Sequence, residues 1–117
     1  MKLKHLFILL LMGILAFACK DDDSDVCETS GLTYNNDIAA IINNNCVNAG
    51  CHDSNAAANA TFPMTDFAET EIAVGFDRIV GAINHTTGFS PMPRGGDMLD
   101  QCVIDKITQW IADGAPE

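Results

Sequence analysis

Two cysteines and a histidine stand together in Cys46-Val47-Asn48-Ala49-Gly50-Cys51-His52, and this heptapeptide constrains the chain more than any other stretch. Two thiols with an adjacent imidazole have three chemical uses. They can close a small disulfide loop, with His52 a polar neighbour. They can supply three ligands to zinc, which takes thiolate sulfur and imidazole nitrogen. Or each thiol can add to a vinyl group of haem, tethering the macrocycle by two thioethers while His52 binds the iron. The usual attachment run is C-x-x-C-H, and here four residues separate the thiols. Only the third use obliges the rest of the chain to wrap a large, flat, apolar group.

The beginning of the chain says where that chemistry takes place. Lys2 and Lys4 form a positive start, and Leu6 to Phe17 form an apolar run too short to span a bilayer comfortably. Residues 1–18 therefore read as a cleaved signal segment. The run ends in Leu15-Ala16-Phe17-Ala18-Cys19, which resembles a bacterial lipobox, so Cys19 is expected to be lipidated and to become the mature N-terminus. An ordinary signal peptide cut near Ala18 is the alternative. Lys20-Asp21-Asp22-Asp23-Ser24-Asp25 is acidic and free of apolar side chains, so 19–33 is expected to be a solvated tether. Cys19-Lys20-Asp21-Asp22 also resembles the export signal of Bacteroidetes lipoproteins. It implies an outer-membrane protein, facing either the periplasm or the cell surface.

What remains, 34–117, is enough for one small domain. Its acidity excludes one class of partner. A net charge of −10 repels nucleic-acid phosphates and steers the molecule towards a partner with a basic face. With Cys19 assigned to lipid and Cys46 and Cys51 to haem, Cys27 and Cys102 are an even remainder in an oxidising compartment. A disulfide between them is expected, two buried thiols being the competing reading. Closing so long a loop is worth about 4 kcal/mol in the chain-entropy account.

The remaining pattern is helical. Ile38, Ile41 and Ile42 recur at helical spacing and Cys46 continues their face, with Asn35, Asn36 or Asp37 as caps. This helix is expected to fray through Asn43-Asn44-Asn45 and deliver Cys46 into a loop. Residues 53–63 read as a loop or a short weak helix, and Asp66 to Ala73 as one or two helical turns. Ile72, Phe76, Ile79, Val80 and Ile83 form a stripe that Gly75 divides. His85 to Gly96, rich in proline and glycine, is a loop. The last helix starts at Asp100, repeats Val103, Ile104, Ile107, Trp110 and Ile111, and stops before Gly114 and Pro116. Trp110 is expected to be core, packed on the first helix. No strand pattern and no internal repeat is visible.

With these residues in view, Tyr34 to Ala115 resembles a small monohaem cytochrome c domain. The C-x4-C-H run, Met92 between Pro91 and Pro93 ahead of the final helix, and the ending Trp110-Ile111-Ala112-Asp113-Gly114-Ala115 carry the likeness. The resemblance implies an all-α fold of three or four short helices around one covalent haem c. It implies His52 as proximal ligand and Met92 as distal ligand, with His85 the alternative. It further implies a monomeric one-electron carrier, not an enzyme, that exchanges electrons with redox proteins. Two other classes fit the residues: a haem protein whose sixth site is open, acting in peroxide or gas chemistry or sensing, and a haem-free surface binding module held by Cys46–Cys51 and Cys27–Cys102 disulfides.

Overall fold

The computed structural model describes residues 26–47, 50–55 and 62–117, and among them it has four helices and no strand. The signal segment 1–18, Cys19, the acidic run Lys20 to Asp25 and most of the stretch after His52 (56–61) lie outside the described residues.

Helix α1 is built of three consecutive segments, a wide π turn Tyr34–Ile38, an α segment Ala39–Ile42 and a second π turn Asn43–Val47. Its start differs from expectation. Thr33 is the cap, its hydroxyl accepting from the Asn36 N–H at 3.3 Å, while the Asp37 carboxylate accepts from the Thr33 N–H at 3.0 Å. Each residue thus satisfies a backbone donor at the helix start, a reciprocal arrangement that Asn35 and Asn36 do not provide. Its end differs as well. The helix does not fray at the three asparagines but carries on to Val47, so Cys46 sits on the helix and not in a loop. Packing explains this, because Cys46 and Val47 are partly buried against the core that holds Ile38 and Ile42.

Helix α2, Phe67–Gly75, is capped by Asp66, which accepts from the Glu69 N–H at 2.9 Å. Glu69 in turn accepts from the Thr65 N–H at 2.8 Å. The chain then breaks over Phe76 to Arg78, with Asp77 in the left-handed region at φ 55°, before helix α3, Ile79–Ile83. The break falls just past Gly75, but the expected single stripe does not survive it. Ile72 is 60% exposed and Phe76 54%. The face α2 buries carries Thr70 and Ala73 instead. A residue in the left-handed region turns the chain, so the helical phase read across residues 72 to 83 is reset midway.

Helix α4, Gln101–Ala112, matches its expectation at both ends. Asp100 accepts from the Cys102 N–H at 2.9 Å, and Gly114 turns out of the helix at φ 92°. Ile104, Ile107 and Trp110 form its buried face. Trp110 is wholly buried, its ring centroid 6.1 Å from that of Tyr34 at the start of α1. The carbonyl of Pro116 accepts from both the Trp110 indole N–H and the Tyr34 N–H, each at 2.9 Å, tying α4 to α1.

Two apolar clusters result. The larger gathers Leu32, Tyr34, Ile38, Ile42, Met64, Ala73, Trp110 and Ala115. The smaller is Ile83, Ile104 and Ile107, where α3 meets α4. Cys27 and Cys102 are joined in a disulfide that spans 75 positions of sequence. With Leu32 buried and Cys27 covalently held, 27–33 packs against the helices rather than running as free tether.

Candidate functional site

The two clusters are bridged by Ile41, Ile79 and Ile111, which pack against both, and each contributes walls to one cavity of about 430 Å³. That is within the ~300–1,000 Å³ typical of small-molecule and cofactor sites. Ile42, Met64 and Ala73 wall it from the larger cluster, and Ile107 from the smaller. Phe62, Phe76 and Phe89 add aromatic surface, the first two stacked at 5.5 Å between centroids. The half-exposed Phe76 is therefore cavity wall, which its sequence pattern did not distinguish from core.

Three residues singled out from sequence line this cavity together: Cys46, His52 and Met92. Cys46 reaches it from the last turn of α1. The chain then folds back, the His52 N–H donating to the Cys46 carbonyl at 3.2 Å and Gly50 turning at φ 72°. That turn needs a residue tolerant of positive φ, which is why glycine suits it. Burial pushes the Cys46 thiol up to about 11, and the neighbouring Cys51 adds to the shift. Cys46 and Cys51 are not joined to each other. Cys51 is half-buried beside His52 but does not line the cavity.

The His52 ring is oriented by backbone. Its Nδ1 lies 2.9 Å from the Phe62 carbonyl oxygen, which can only accept, so Nδ1 carries the proton and Nε2 keeps its lone pair. Metal-bound histidines are commonly fixed in this way, one nitrogen donating to a carbonyl and the other directed to the metal. The Phe62 ring packs on the imidazole at 5.4 Å between centroids.

Met92 lies in the loop between α3 and α4. Its N–H donates to the Ala82 carbonyl at 3.0 Å, fixing the loop to α3, and the Met92–Pro93 bond is cis. His85 has another position. It is exposed and absent from the cavity wall, and its Nε2 lies 3.2 Å from the Met92 carbonyl, so it braces the loop that presents Met92. Met98 is exposed at the surface, whereas Met64 is buried core that also touches the cavity.

Other features of the site had no sequence signal. Phe89 sits directly over Gly81 of α3, where a Cβ would meet its ring at 2.6 Å. The Arg78 guanidinium lies 6.0 Å from the centroid of the same ring, and Arg78 and Arg94 are both cavity-lining. Among the described residues, no three His, Cys, Asp or Glu side chains gather as a metal-holding cluster. Comparison with known protein families, curated proteins and solved structures returns no match.

Proposed function

We propose that this protein is a c-type cytochrome that transfers single electrons at a membrane. One haem c would be held by thioethers to Cys46 and Cys51, with His52 and Met92 supplying ligands to its iron and Cys19 the lipid anchor. The observation that carries the reading is that Cys46, His52 and Met92, distant in sequence from one another or set in different elements, wall the same apolar cavity.

When bound, the haem supplies the Fe(III)/Fe(II) couple. The chain's residues supply the rest. The Phe62 carbonyl holds the His52 imidazole in one tautomer. The Ala82 and His85 contacts hold the Met92 segment, so ligand reorganisation on electron transfer is small. The phenylalanine and isoleucine walls would give the haem a mainly apolar surrounding, which together with the ligands tunes its potential. Two protein ligands leave no position for substrate, consistent with a carrier.

The test is export from a host with haem-c maturation machinery. The denatured protein should keep its haem absorbance, and its intact mass should include one haem. Cys46→Ala with Cys51→Ala should abolish both. A wild-type mass equal to the haem-free polypeptide would refute the proposal.

A further inference from the structure

Arg78, Arg94 and Lys106 are the lysines and arginines of the described residues, and the two arginines line the cavity. Every described carboxylate lies elsewhere, in a chain of net charge −10. Scattered surface charge does not account for this distribution. Arg78 stands at the break before α3, and Arg94 follows Met92-Pro93 in the loop that crosses to α4, so separate segments bring them to one site. Among the described residues neither guanidinium is engaged in an ion pair; Arg78 is held over the Phe89 ring and both are otherwise exposed. A cavity that is apolar over most of its wall and cationic at two points matches a ligand that is apolar over most of its surface and carries two anionic groups. Haem has that form, with a hydrocarbon macrocycle and two propionates.

We propose that Arg78 and Arg94 bind the propionate carboxylates, each through the planar fork of N–H donors that pairs with a carboxylate. This assignment rests on the haem reading above and adds two residues to it. It also gives the arginines an effect on the iron. Positive charge near the centre opposes the extra charge of Fe(III) and so favours Fe(II).

The measurement uses the haem-loaded, exported protein: midpoint potential at fixed pH, and the propionate bending vibration by resonance Raman. Arg78→Gln and Arg94→Gln should each shift the potential lower and move the vibration, and the double variant should shift it further. Arg78→Lys and Arg94→Lys keep the charge but lose the fork, so they should move the vibration while largely retaining the potential. These milder variants decide the matter if the double variant loads poorly. Lys106→Gln, away from the cavity, should leave the vibration unchanged. Haem-loaded Arg→Gln and Arg→Lys variants with wild-type potential and vibration would overturn the assignment and leave the haem reading standing. Wild-type protein that carries no covalent haem would overturn both.

Discussion

Met92 illustrates how much at this site depends on a single side chain. Its thioether is soft and favours Fe(II), so on the proposed reading Met92→Ala opens the sixth position, admits carbon monoxide and lowers the potential. The weak near-infrared absorption of a methionine–iron bond should disappear with it. Persistence of that band in Met92→Ala would assign the ligand elsewhere, Met64 being the other methionine at the cavity. Gly81 is constrained from the opposite side. A methyl group there meets the Phe89 ring at 2.6 Å, so Gly81→Ala must move either the ring or the helix. Overpacking of this kind costs about 1–3 kcal/mol, measurable as a lowered urea midpoint. Phe89→Leu should relieve part of that loss. Cys46 predicts a pH dependence for the haem-free protein. Its folded-state value, about 11, lies above the ordinary thiol value of 9.0. The corresponding stability is fully present below pH 9.0 and is lost as pH rises through about 11. Cys46→Ser should flatten the denaturation midpoint across that window. An equally steep decline in the variant would assign the dependence to another group.

Among the elements, α4 was the most legible from sequence. An N-capping aspartate, an apolar repeat from Val103 to Ile111 and a terminal glycine all agree. Asp100→Ala should therefore behave as an ordinary cap deletion, costing about 1 kcal/mol in thermal or urea unfolding. Helix α1 was legible in its middle and misread at its ends. Asparagine propensity predicts fraying at Asn43 to Asn45, but burial of Cys46 and Val47 outweighs a few tenths of a kcal/mol per residue. At α2 only one or two helical turns from Asp66 to Ala73 were legible, and the Asp66-x-x-Glu69 capping pair emerged from the structure. The left-handed Asp77 was not legible, because aspartate adopts that region only where its surroundings require it. The heptapeptide named Cys46 and His52, and the proline pair pointed to Met92. Arg78 and Arg94 were illegible for a different reason. They follow no period and no spacing, and only the folding of two segments onto one cavity brings them together.

At the scale of the whole molecule, two apolar clusters bridged by Ile41, Ile79 and Ile111 both line one cavity. A ligand filling that space would add apolar contact to both, which a small domain has little of on its own. The haem-loaded protein should therefore melt higher and more sharply than the Cys46→Ala, Cys51→Ala form. Equal melting of the two would mean that the clusters are sufficient by themselves. The disulfide has a consequence of another kind, a mechanical one. Its closed ring, from Cys27 to Cys102, contains Cys46, Cys51, His52 and Met92. A pull applied from the amino-terminal side enters at Cys27 and crosses directly to α4, bypassing the segment that builds the cavity. In single-molecule stretching, the segment that closes this ring, a sequence separation of 75, should stay hidden while the bond is intact. Reduction should release it as about 250 Å of additional contour length.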